Sequence, residues 1–244
     1  MPEPDLLPAE RRAIWTEIGV VISLGVLVHT LGVATSWMHA RSPVHERSVG
    51  YYLYAIGTTL QTILPLLWIM HRSGRPWSYF GIRRTDLRLD IPLSILIAVV
   101  IFAANYLARW IIYTAWYAAP WTNYFITFIE ADQSAMSAIR TPPTSPAEWV
   151  AHIAYMLANG LSEELVLRAY LLVRIREVTG RPVLAALIVS ALAAAYHLYQ
   201  GSSAGLIIFG GQLAICATYF KVPRILPFAR GHAFYDIVLS FGRA

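Results

Sequence analysis

Apolar residues in this chain come in blocks of about 17–25, the length a helix needs to cross ~30 Å of hydrocarbon. Short stretches that collect arginines and prolines separate them. Seven blocks can be drawn, at roughly 15–38, 50–70, 91–117, 148–173, 182–199, 203–220 and 224–241. Each predicts a membrane-spanning helix. Pro182 stands in the first turn of the fifth and Pro223 in the first turn of the seventh, where a missing N–H costs nothing. The first block is too long for a signal-peptide core and no small-residue cleavage site follows it, so it reads as a retained span. Residues 1–12, polar and proline-containing, read as a short disordered tail. Between the second and third blocks, Arg72–Asp90 carries the amphipathic run Trp77-Ser78-Tyr79-Phe80-Gly81-Ile82-Arg83-Arg84, expected to rest at the membrane interface. Between the third and fourth, Trp121–Ala147 is the longest loop and includes Thr141-Pro142-Pro143-Thr144-Ser145-Pro146. It is the expected cover or partner surface. Small residues concentrate late in the chain, as in Gly201-Ser202-Ser203-Ala204-Gly205, Gly210-Gly211 and Ala193-Ala194-Ala195, and let helix backbones approach closely in lipid. The expected fold is all-α: a polytopic transmembrane helix bundle of about seven spans. Residues 1–146 hold the tail, three spans and the long loop; residues 147–244 hold a C-terminal four-helix core.

Composition supports that class. The 244 residues are 57% hydrophobic and 14% charged, against about 45–50% apolar and about 25% charged in soluble domains. Of the 19 Lys and Arg side chains behind the net charge of +5, only Lys221 is a lysine. The arginines gather at segment ends and no basic run interleaves with aromatics, which speaks for membrane orientation and against a nucleic-acid partner. One set of flanks carries Arg11, Arg12, Arg72, Arg75, Arg83 and Arg84 among others; the opposite set carries only Arg41, Arg47, Arg140 and Arg243. Seven spans then put the N-terminus in the cytoplasm and the C-terminus outside. Cys216 is the single cysteine, which excludes an internal disulfide and any cysteine-based metal site.

Against this apolar background a few ionisable residues stand out. A charge at membrane depth costs several kcal/mol unless it is paired or borders water, so it marks a functional site. Glu163, Glu164 and Arg168 lie inside the fourth block. Glu164 and Arg168 are i,i+4 neighbours in the favourable order for an ion pair. Glu163, rotated by about 100°, faces elsewhere. It is then free to act as a general base, whereas Glu164 and Arg168 fix a helix; a purely structural triad is the other reading. His197 closes the fifth block, where a neutral imidazole near a carboxylate can position a water molecule or help deprotonate it. From the assumed boundaries His197 sits about 10 Å nearer the outer face than Glu163 or His232. His232 and Asp236 lie one turn apart on one face of the last block. Either the carboxylate orients the imidazole, or the two supply donors to a developing oxyanion, Asp236 only when protonated. His29 and His152 read as core or interface histidines. Asn105 and Arg109 share a face of the third block, from which Arg109 can snorkel outwards.

Three patterns, Glu163-Glu164-x-x-x-Arg168, His197 at the end of its apolar block, and His232-x-x-x-Asp236, occur in that order on separate spans. The segment of roughly 147–242 thereby resembles the CAAX-processing type 2 prenyl protease and bacteriocin-immunity family, whose motifs are E-E-x-x-x-R, F-x-x-x-H and H-x-x-x-N/D. Ala193 replaces the aromatic of the second motif, and Asp236 holds a position often taken by asparagine. The resemblance implies an intramembrane endopeptidase that cleaves a membrane-anchored or lipidated peptide near its hydrophobic anchor, in a prokaryotic inner membrane. By that analogy Glu163 and His197 activate water, His232 and Asp236 stabilise the tetrahedral intermediate, and Glu164 with Arg168 supports the site. No cofactor is required for this chemistry. H-E-x-x-H is absent, yet Glu163, His197 and His232 could supply three ligands of a zinc site with an open position. A non-catalytic membrane scaffold or regulator with the same polar core is the alternative. A transporter is disfavoured, because no repeated halves are present.

Overall fold

The computed structural model describes residues 6–27, 48–117, 143–200 and 202–241, and among these every regular element is helical. Helix α1 spans Pro8–Ile22 and runs on through a π-helical turn, Ser23–Leu27. Next come α2 (Val49–Arg72) and α3 (Leu87–Tyr117). The fourth rod is continuous but changes its winding twice: α4 (Pro146–Glu164), a π segment (Leu165–Leu172), then α5 (Val173–Thr179). The chain ends with α6 (Pro182–Tyr196), α7 (Ser202–Lys221) and α8 (Ile225–Phe241). Each of the seven predicted spans thus has its helix, and the fold is an all-α membrane bundle. By length and composition α2, α3 and α7 can cross a membrane, while α6 is apolar but shorter.

Local chemistry sets the ends. Ser145 caps α4: its hydroxyl accepts from the Glu148 amide at 3.3 Å, and Glu148 accepts in return from the amide of Ser145 at 3.2 Å, a capping box ahead of Pro146. Gly180, at φ 68°, ends α5 in the left-handed conformation, and Pro182 opens α6 as expected. Three expectations are corrected. Helix α1 begins at Pro8, inside the supposed tail, because the Glu10 carboxylate accepts from the Leu7 amide at 2.8 Å and caps the first turn. Pro223 lies before α8; the proline of its first turn is Pro227, and the Ile225 amide instead donates to Gly81 O at 2.9 Å. That bond bears on the third correction. The Trp77–Arg84 run does not merely rest on the interface: its 3-10 turn, Trp77–Phe80, drives Phe80 fully into the bundle. There Phe80 stacks on Tyr170 at 6.1 Å, and its carbonyl accepts from the Tyr219 hydroxyl at 2.9 Å. The end of the first predicted span, nearly all of the 121–147 loop, His29 and Gly201 lie outside the described residues.

The π segment is the centre of the molecule; all eight of its residues are buried. Around it α8 packs on both α3 and α4, α7 on both α3 and α6, and α2 on α4. Helix α3 is therefore wedged against the last two helices. A methyl group on Gly231 would lie 2.8 Å from Ser94 O, so α3 and α8 touch backbone to backbone. A partly buried ion-pair knot ties the other side. Arg174 donates to Glu177 at 2.6 Å and to Glu17 at 2.7 Å, Arg75 donates to Glu177 at 2.5 Å, and the Tyr170 hydroxyl donates to Glu17 at 3.0 Å. It joins α1, the segment after α2 and α5, and pairs charges whose lone burial would be costly. Burial and then Glu177 push the nearby Tyr79 hydroxyl well above its usual range, which keeps it a neutral donor.

Candidate active site

One glycine brings the polar residues together. A methyl group on Gly160 would lie 2.9 Å from Ala229 O and 3.1 Å from Ala233 N, so α4 and α8 meet at backbone contact. Glu163 and Glu164 follow Gly160 by three and four residues, on the same side of α4. His232 precedes Ala233 on α8. The close approach therefore sets both carboxylates against one imidazole.

His232 is the hub. Its Nδ1 donates to Glu164 Oε1 at 2.9 Å, while Nε2 lies 3.8 Å from Glu163 Oε2 and 3.6 Å from Asp236 Oδ2. The two glutamates do not part company as their rotation along an ideal helix suggests: they address opposite nitrogens of the same ring. Asp236, for which orienting His232 was one of two readings, is the looser contact, and Glu164 the tight one. Behind Glu164, Arg168 Nη1 stands at 3.2 Å, and Arg168 Nη2 in turn hydrogen-bonds Gln212 of α7. Side-chain exposure divides the cluster. Glu164 and Arg168 are at 0%, Glu163 is at 15% and Asp236 at 23%. Support lies inward, and the accessible side is the one bounded by Glu163, Asp236 and His232 Nε2.

Glu163 is held by two neutral donors. Asn159, one turn earlier on α4, donates to Oε1 at 2.9 Å, and the Tyr196 hydroxyl, from the last residue of α6, donates to Oε2 at 2.6 Å. The long Tyr196 side chain thus spans from the end of α6 to Glu163. His197 caps α6, with its ring 4.2 Å from that of Tyr196 and Nδ1 2.8 Å from Ala193 O. A carbonyl only accepts, so Nδ1 carries a proton, and in the neutral form of the ring Nε2 is the acceptor nitrogen. Ala193 is fully buried and serves His197 through its backbone. Sequence reasoning passed over Asn159, Tyr196 and Gln212, because neutral polar residues at helix spacing carry no charge cost to betray them. His152 lies apart from the cluster, buried, with Nε2 2.9 Å from the Ser240 hydroxyl and its ring edge-on to Tyr52. That fits its reading as a core histidine. Asn105 donates to Ile101 O, and Arg109 stacks over Tyr113.

Residues 145–238 match the profile of the family described as type II CAAX prenyl endopeptidase, Rce1-like. Over this segment the chain is similar to that family. Neither a curated protein nor a solved structure matches the chain.

The matched segment opens at the Ser145 cap of α4 and closes within α8, so it contains every residue of the cluster just described. The matched family is one of prenyl endopeptidases, and the long apolar helices fit a membrane setting. Among the described residues no group of three or more His, Cys, Asp or Glu side chains is arranged to hold a metal ion. The contacts of Glu163, His197 and His232 run to a tyrosine, a backbone carbonyl and carboxylates.

Proposed function

We propose that this protein is an intramembrane endopeptidase of the CAAX type, hydrolysing a peptide bond of a lipidated or membrane-anchored substrate with a water molecule activated by Glu163. The reading is supported above all by one observation: side chains of α4, the end of α6 and α8 converge on the partly exposed edge of an otherwise buried cluster. In the proposed reaction Glu163 takes a proton from water and the oxygen attacks the scissile carbonyl carbon. The neutral His197 accepts at Nε2 and helps to orient that water. Charge builds on the carbonyl oxygen, where His232, with Asp236 beside it, supplies the donor. Glu163 then returns the proton to the departing amine, which closes the proton balance. Glu164, Arg168 and Gln212 keep the imidazole in place from behind.

The test uses the full chain in proteoliposomes with a farnesylated peptide ending in Cys-Val-Ile-Met, and mass spectrometry of the released tripeptide. Release by the wild type, its persistence in EDTA and its loss in Glu163→Gln are the expected results. Equal release by wild type and Glu163→Gln would favour a binding or regulatory role for the same bundle.

A further inference from the structure

The three motifs leave one requirement of this site unmet. Glu163 Oε2 and His232 Nε2 are 3.8 Å apart, beyond a hydrogen bond. A glutamate side chain has three rotatable bonds, and an imidazole so near would draw the carboxylate into a closed ion pair. Both groups would then be lost to water and substrate. The structure shows what opposes this. Tyr196 binds Oε2 at 2.6 Å from α6, and Asn159 binds Oε1 at 2.9 Å from one turn back on α4.

We propose that Tyr196 and Asn159 are positioning residues that clamp the Glu163 carboxylate off His232 and aim it at the reacting water. The proposal rests on Glu163 being the general base, as above. An ionised carboxylate offers about four acceptor positions. One donor on each oxygen fixes the plane of the group and still leaves each oxygen able to take a proton from water. Tyr196 has a second effect. Its ring lies 4.2 Å from that of His197, so a single turn of chain at the end of α6 both restrains the base and sets the imidazole beside it. The two donors come from different helices, which ties the orientation of Glu163 to the packing of α6 on the fourth rod.

The experiment compares full-length wild type, Tyr196→Phe, Asn159→Leu, Asn159→Gln and Glu163→Gln in proteoliposomes, on the farnesylated peptide named above, with thermal unfolding measured alongside. Tyr196→Phe removes one oxygen and keeps the ring. A hydrogen bond to a charged group corresponds to about 10- to 100-fold in rate. Tyr196→Phe and Asn159→Leu are expected to lower kcat by that factor with KM within about twofold. Asn159→Gln, which keeps a donor, is expected to recover most of the loss, and the unfolding temperature of Tyr196→Phe to stay close to that of the wild type. If Glu163→Gln is inactive while Tyr196→Phe turns over at the wild-type kcat, or is changed in KM alone, the clamp is wrong and the peptidase reading stands. A wild type no more active than Glu163→Gln overturns the peptidase reading, and the clamp with it.

Discussion

Removing the charge of Glu163 while keeping its shape separates base catalysis from packing. General-base catalysis contributes about 10²–10⁴-fold, so Glu163→Gln is expected to lower kcat by that factor and to unfold near the wild-type temperature. A cooperative loss of folding would instead mark Glu163 as structural. Arg168 predicts the opposite split. It is fully buried against Glu164 and Gln212, and truncating one partner of a buried pair costs about 3–5 kcal/mol because the other charge is left alone. Arg168→Met should therefore unfold at markedly lower temperature, with Gln212→Leu milder at about 1–3 kcal/mol; unchanged melting of Arg168→Met would contradict the role given to it. The charged members of the cluster were legible in the sequence because an ionisable group in lipid demands a reason. How they divide the work was not. Which imidazole nitrogen each glutamate meets depends on the Gly160 contact between α4 and α8, a tertiary distance that no spacing along the chain encodes.

Helix α4 and its neighbours owe their register to small residues. Gly160→Leu places a side chain where a single methyl group would already lie 2.9 Å from the Ala229 carbonyl. It is expected to destabilise by about 1–3 kcal/mol and to abolish cleavage by parting Glu163 from His232; a Gly160→Leu protein with wild-type turnover would refute the convergence of α4 and α8. Gly81 makes a separate demand. Its φ of 72° and its contact with the Tyr219 hydroxyl leave no room for a methyl group, so Gly81→Ala should loosen the docked 3-10 turn and lower the unfolding temperature. The seven helices were readable because block length and apolarity are direct consequences of the hydrocarbon thickness. The π segment was not. Over eight residues buried on every side, the sequence has no polar face from which to tell one helical winding from another. Such segments recur at functional sites, and this one begins immediately after the two glutamates. The docking of Phe80 was equally hidden, since an amphipathic run fits a membrane surface and a groove between helices alike.

At the scale of the whole molecule, arginine-rich flanks predict an inward-facing N-terminus, and the single buried Cys216 makes the prediction easy to check. In a Cys216→Ala background, a membrane-impermeant maleimide added to intact cells should label Ala147→Cys and leave Thr85→Cys untouched, with the reverse in inverted vesicles. Labelling of Thr85→Cys in intact cells would reverse the orientation. The bundle also ties the first three spans to the helices that carry the proposed site: α3 packs on α7 and α8, and α1 is tied to α5 through Glu17 and Arg174. The central claim is that polar groups from separate helices form one hydrolytic site within the membrane. Its most direct measurement is cleavage of the farnesylated peptide by reconstituted wild type and Glu163→Gln in water enriched in ¹⁸O. The account predicts a tripeptide released by the wild type alone, with one heavy oxygen in the newly formed carboxylate of the farnesylated fragment. Equal release by both proteins would contradict it.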